Sequence, residues 1–394
     1  MSTEAGVGIS HNHDPVAAGK EAVAAALKQA GGTRCDTVFL FATVGYDQAA
    51  LLKSVSEAAG GAQVLGCSGE GVIAGDDCDE SNFAVSVMTF RSDELSFDPF
   101  CVEGLSGGVG EVGRRLMEQV NGKVGEDALG LFLFPDGMTF NYDAFVAGAS
   151  AAAKRPLPIY GGTAGDNWTF TGTYQYFGDR VIKDGIVAGL LHGKGRIVSN
   201  VTHGCVPIGT ARKITKAQGG AIFEIDGKPI FDVLAEYVDG DPRANWNMVV
   251  TSLCLGFRAP EHMKGEYPDY VVRALIAKDD QAGAVIIGSN VEPGTEVWMT
   301  RRSHDAVAES VDQMGKRIKS WLGEEQPKLV FHFDCAGRGK MFLRDKQKTD
   351  LLKHLRQEVA PSAPWVGFYC YSELAPVAEH NAYHSFTAVV AAIC

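Results

Sequence analysis

Nothing in this sequence reads C-x-x-C. Cysteines 35, 67, 78, 101, 205, 254, 335, 370 and 394 are scattered and odd in number, which writes neither a disulfide framework nor a zinc site. The missing C-x-x-C-H excludes a covalent c-type haem. No run approaches the roughly 20 apolar residues of a spanning helix. Met1 to Lys20 lacks a charged-then-apolar leader, so the expectation is a cytoplasmic protein with no membrane partner. Basic charge is scarce: 36 Lys and Arg stand against 48 Asp and Glu, for a formal net charge of -12. Such a chain repels a phosphate backbone and an anionic lipid surface. The densest basic patch, Arg344 to Lys348, is interrupted by Asp345, so no nucleic-acid partner is expected.

What is present is an ordinary globular balance, 45% hydrophobic and 21% charged residues over 394 positions, enough for two domains. The unusual element is glycine. The 47 glycines fall in clusters, and the clusters punctuate a repeat. The first copy has an Ala-rich helix at Pro15 to Ala30, an apolar strand at Thr37 to Phe41, a helix at Gln48 to Ala59, and a strand from Gln63 into Cys67-Ser68-Gly69-Glu70. The second has a helix at Gly108 to Val120, a strand at Leu129 to Phe134 and a helix at Tyr142 to Ala153. Its strand at Leu157 to Tyr160 runs into Gly161-Gly162-Thr163-Ala164-Gly165-Asp166. The third, far downstream, has a helix at Asp305 to Leu322, a strand at Leu329 to Asp334 and a helix at Thr349 to Val359. Its strand at Trp365 to Cys370 leads to Tyr371-Ser372-Glu373. Two further strands are assigned to the first copy, near 82–90 and 95–101, and two to the second, near 186–191 and 196–201. The repeat predicts an α/β protein of two domains, its helix-strand-helix-strand units forming layered mixed sheets. The expected divisions are an N-terminal helix and extension over 1–35, a domain over 36–221 and a domain over 222–394.

Several segments then match one family in order. They are Gly66-Cys67-Ser68-Gly69-Glu70, Tyr160 to Asp166, Gly204-Cys205-Val206-Pro207-Ile208-Gly209, Glu224-Ile225-Asp226-Gly227, Phe333 to Gly339, Gly367 to Glu373, and His384-Ser385-Phe386-Thr387. On these residues the chain resembles the FIST proteins, built from an N-terminal and a C-terminal FIST domain. The resemblance implies a cytosolic sensory module for signal transduction that binds a small ligand such as an amino acid or a related polar molecule. It further implies an output delivered by a separate signalling protein such as a histidine kinase. Some members of this size resemble haem proteins that sense nitric oxide, which makes haem a candidate cofactor. The sequence departs from the family pattern at Ser372, where glycine is usual before the acid.

Read from the residues, the glycine turns lie at the carboxyl ends of strands, where ligands of open α/β sheets bind. The polar groups there are Cys67, Ser68, Glu70, Thr163, Asp166, Asn167, Asp334, Arg338 and Glu373, and the family segment adds His384. Arg338 offers a planar fork to a carboxylate, and Asp166, Asp334 and Glu373 could accept from an ammonium. The same charges could instead pair with one another or cap turns. Aromatics near the turns, Trp168 and Tyr371 among them, could wall a pocket or fill core. For haem, His192, His203 and His384 are the candidate ligands. A thiol-dependent enzyme would use Cys67 or Cys335, although inert buried thiols are the expectation and no catalytic residue is assigned. A scaffold that binds proteins and no small ligand is a further alternative.

Overall fold

The structure, a computed structural model, describes residues 3–394 and divides into two compact units. The first comprises residues 3–201, 312–383 and 388–394. The second comprises 202–311 and 384–387.

The first unit carries the repeat as three six-stranded sheets. Each has a parallel pair at its centre: Thr37–Ala42 with Gln63–Ser68, Ala128–Pro135 with Ile159–Gly162, and Leu329–Cys335 with Trp365–Cys370. An antiparallel strand lies along the first member of each pair: Val85–Ser92, Gly185–Gly193 and Thr387–Ile393. Outside it comes the strand that opens the copy: Thr3–Ser10, Leu95–Glu103 and Ile197–His203. The sequence reading missed Thr3–Ser10, a short strand whose two glycines let Pro15–Ala30 lie close on it: a β-carbon at Gly6 or Gly8 would come 2.1 Å from a carbonyl of that helix. It also assigned the segments near 95–101 and 196–201 to the preceding copies. Asp93-Glu94 looks like a hairpin turn, yet it carries the chain from the first sheet to the second.

The remaining two strands of each sheet come from another copy. The hairpin Gly71–Ala74 with Asp77–Asp79 leaves the first copy and pairs on Trp365–Cys370 of the third. Gln175–Phe177 with Arg180–Ile182 leaves the second and pairs on Gln63–Ser68 of the first. Glu373–Val377 with His380–His384 leaves the third and pairs on Ile159–Gly162 of the second. The exchange is cyclic.

Helices cover one face of each sheet, which explains the continuous apolar strands. Helix Pro15–Ala30 starts on the Asp14 side chain, which accepts from Ala17 N, with proline in its first turn, and buries Ala18, Ala22, Val23 and Ala26. The other faces meet in an aromatic core to which every sheet contributes. Phe39 packs on Phe97 and Phe331 at 4.8 Å, Phe132 on Phe331 at 4.7 Å, and Phe41 on Phe368 at 4.6 Å. These are edge-on and offset distances at which aromatic pairs attract.

The second unit is a seven-stranded antiparallel sheet. Its long strand Cys205–Gln218 pairs with Glu296–Arg302 through its first half and with Ala221–Ile225 through its second. The sheet is thereby closed. Helices Ile230–Leu234 and Trp246–Ser252 cover a core that includes Ile214, Ile222, Leu255, Val285 and Met299. No helix among the described residues is long and apolar enough to cross a membrane.

Candidate ligand site

The three glycine turns end the second strand of each central pair in the first unit. Register aligns them through Gly66, Gly161 and Gly367, which face Leu40, Leu133 and His332. Aligned this way, the three acids singled out from sequence occupy different positions. Glu70 lies in a tight turn, Asp166 in a long loop, and Glu373 already on the returning strand opposite Gly162.

Two of the turns are tight, Gly69-Glu70 and Tyr371-Ser372, whereas the second copy inserts the long stretch 163–174. Asp166 organises that loop. Its carboxylate accepts from Thr169 Oγ1, from the backbone N–H groups of Phe170, Thr171 and Gly172, and from the Tyr371 hydroxyl. Burial opposes its ionisation, but these donors outweigh burial and hold the carboxyl below its ordinary value. Asn167, Trp168 and Phe170 all have positive φ, 56°, 58° and 51°, a costly conformation for side chains of this size. Their rings and that of Tyr371 gather at the loop: Phe170 stacks on Tyr371 at 5.5 Å, and Trp168 lies 5.7 Å from Tyr371. Phe170 is nonetheless 57% exposed.

Glu70 lies against this loop, fully buried. Its Oε2 accepts from Trp168 N at 2.9 Å, and Asn167 Nδ2 reaches its carbonyl at 3.4 Å. Its Oε1 has no hydrogen-bond partner, nor do Trp168 Nε1 and Thr163 Oγ1, both also buried. Burial pushes the Glu70 carboxyl up to about 8, against opposition from the Trp168 N–H and Lys340, with Glu80 and Asp166 adding to the rise. Ser68 stitches the two turns: its hydroxyl donates to Gly165 O at 2.7 Å and accepts from Tyr174 N at 3.0 Å. Asn167 Oδ1 accepts from Val44 N at 3.1 Å.

Asp334 and Arg338 pair with each other, Nε to Oδ1 at 2.7 Å, both buried, with His332 Nε2 3.4 Å from the other carboxylate oxygen. Burial opposes the charge on Asp334, but Arg338 and His332 outweigh burial and hold the carboxyl below its ordinary value. Glu373 Oε1 accepts from the Cys370 thiol at 3.3 Å. Cys67 is buried, and burial pushes its thiol well up, away from the thiolate a nucleophile needs. Cys335 is likewise buried. His384 belongs to the second unit, where its ring stacks on Tyr267 at 5.5 Å.

Sequence reasoning missed Glu80. Buried, it accepts from Lys340 N and Lys348 Nζ at 2.6 Å each, while Lys340 Nζ donates to its carbonyl at 2.6 Å. No local pattern could have shown this clasp, because its partners arrive from the far end of the chain.

Two of the candidate haem ligands do not fit that role as placed. His203 Nδ1 accepts from Cys205 N at 3.1 Å and Nε2 lies 2.8 Å from Tyr270 O, which occupies both ring nitrogens. His192 is partly exposed, with Ser96 Oγ at 3.1 Å and Asp98 Oδ2 at 3.2 Å from Nε2. No group of three or more His, Cys, Asp or Glu among the described residues is arranged to hold a metal ion.

Comparison with known proteins identifies two family domains whose bounds differ from those of the two compact units. A family model for the FIST N domain matches residues 36–228, and one for the FIST C domain matches 231–376. An uncharacterized protein of Mycobacterium tuberculosis is 30% identical over 393 residues, covering 98% of each chain. An uncharacterized protein of Mycobacterium bovis is 27% identical over 398 residues, covering 98% of this chain and 97% of the relative. A third, of Methanocaldococcus jannaschii, is 36% identical over 85 residues, 21% of this chain.

Proposed function

The chain belongs to the FIST family, whose domains are signal-transduction sensory modules, and on that premise we propose that it is a cytosolic sensor of a small polar ligand. The ligand binds at the strand ends of the first unit around Glu70, and the signal passes to a separate protein such as a histidine kinase. One observation carries this reading: Glu70, Thr163 and Trp168 each bury a polar atom with no partner, all on the turns that end strands. Buried polar groups are almost always satisfied, because an unmade bond costs about 1–3 kcal/mol. A ligand that completes these bonds recovers that cost. It would also bear on the strained loop 163–174, an element able to differ between free and bound states.

Thermal shift across amino acids, amines and small organic acids tests the reading. At least one compound raises the melting temperature, and Glu70→Gln removes the rise. A flat response at millimolar concentration overturns it. An absorption spectrum of protein made with haem supplied tests the alternative: a Soret band that moves on adding nitric oxide would replace this reading with haem sensing.

A further inference from the structure

Resting on the reading that the Glu70 site binds a ligand, we propose that this site takes a small cationic amine carrying a hydrogen-bond acceptor. The ammonium lies on Glu70 Oε1 and the acceptor on Trp168 Nε1. Four observations select this class over the zwitterion or acid that a strand-end site would also suit.

The first is the Glu70 carboxyl. It is fully buried, one oxygen is held by Trp168 N, and the other has no partner. Ionised, that oxygen is an unpaired buried acceptor; protonated, the carboxyl carries an unpaired buried donor. An ammonium donor resolves the first state.

The second is the charge around it. Asp166 and Glu80 act on Glu70 with negative charge, and the Tyr371 hydroxyl of the third turn donates to Asp166. Lys340 acts on Glu70 with positive charge, its ammonium held on Glu80 O at 2.6 Å. Lys348 pairs with the Glu80 carboxylate at 2.6 Å, so Glu80 is compensated. The charge left beside Glu70 is that of Asp166, which hydroxyl and N–H donors hold. The balance attracts a cation and repels a carboxylate.

The third is Arg338. Arg338 is the guanidinium that the sequence offered to a zwitterion's carboxylate, and its Nε donates at 2.7 Å to buried Asp334. Drawing that guanidinium away would strand Asp334 in the interior.

The fourth is aromatic. Trp168, Phe170 and Tyr371 gather on the loop beside Glu70, and such faces attract alkylated ammonium groups. The indole Nε1 of Trp168 is a donor only, so the ligand must bring an acceptor to it.

Binding is then a proton exchange. The ammonium enters, Glu70 ionises, and its proton leaves to solvent, one per ligand bound below the range where free Glu70 titrates. Because Glu70 holds its proton up to about 8, affinity for the amine rises with pH through neutrality.

The test uses the full chain with ethanolamine and N-methylethanolamine as probes, ethylamine as the amine without an acceptor, and glycine, acetate and ethylene glycol as charge controls. Calorimetry near about pH 6.5, in buffers of different ionisation heat, is expected to show one proton released per amine bound. Affinity should tighten about tenfold per pH unit as pH approaches 8. Glu70→Gln, isosteric and uncharged, should lose amine binding with unchanged far-ultraviolet circular dichroism. Trp168→Phe, which keeps the ring, should weaken the amines that carry an acceptor. If glycine or acetate binds in a Glu70-dependent way and no amine does, the ligand site stands and the amine assignment falls. If none of the probes binds, the amine assignment falls, and the wider compound panel decides the site itself.

Discussion

Gly367 lies directly beneath the carbonyl of His332, where a β-carbon would come 1.7 Å from the oxygen. Gly66 stands in the same relation to Leu40, at 1.9 Å, and Gly161 to Leu133, at 2.0 Å. Each glycine occupies the same register position of its parallel pair, just before a strand end. Alanine at any of the three forces the paired strands apart. The expected cost is about 2–4 kcal/mol, above ordinary overpacking because backbone must move. Gly107→Ala, where a β-carbon meets nothing within 4 Å, should change stability by less than about 0.5 kcal/mol. Urea unfolding of the four variants checks this, and equal losses at all four would refute the register explanation.

Glu70 makes stability depend on pH. Its folded carboxyl keeps a proton up to about 8, whereas an unfolded one loses it near 4.5. The stabilising contribution of the proton is therefore full below the unfolded value and is lost as pH rises toward 8. Glu70→Gln carries no such proton and should flatten that part of the profile. The variant should gain on wild type between about pH 5 and 8, by a few kcal/mol at most. Melting temperatures across that range measure it, and parallel profiles would contradict the assignment.

Arg338 and Asp334 should be costly to separate and cheap to remove together. Arg338→Met leaves the buried Asp334 carboxylate with His332 as its remaining partner, for an expected loss of about 3–5 kcal/mol. Adding Asp334→Asn to that variant should recover part of the loss. A double-mutant cycle in guanidinium reads the coupling. Strictly additive losses would show that the two groups act independently.

Asp166 should govern its loop more than the whole unit. Asp166→Ala removes the acceptor of three backbone N–H groups and two hydroxyls. Faster amide exchange at 167–172 is expected, with a global loss of about 1–3 kcal/mol. Unaltered exchange there would show that the loop is held by its aromatic contacts.

Much of the fold was legible because its signals are local. Proline at the start and an Ala-rich face mark Pro15–Ala30, and apolar runs, broken by His332 in the third copy, mark the first strand of each central pair. The glycine clusters located the strand ends. Where the hairpins go was not legible, since Val72 and Phe368 share no pattern that announces their pairing. The acids illustrate the same limit. Glu70, Asp166 and Glu373 look equivalent in sequence because each follows a glycine or serine turn. Only register shows one in a turn, one bracing a loop and one on a strand. The unpartnered oxygen of Glu70 was invisible for a related reason: its surroundings come from Trp168 and Lys340, on two other copies.

The cyclic exchange of hairpins has a consequence for synthesis. A chain emerging from the ribosome cannot finish any sheet from the copy that began it. The first sheet waits for Gln175–Ile182, the second for Glu373–His384. The hairpin Gly71–Asp79 has no partner until Trp365–Cys370 appears, well over half the chain later. Until then its backbone groups are exposed edges, the kind that invite pairing with other chains. A ribosome-bound nascent chain is therefore the form of this protein most in need of a chaperone, and truncation near the C-terminus would leave the second and third sheets incomplete.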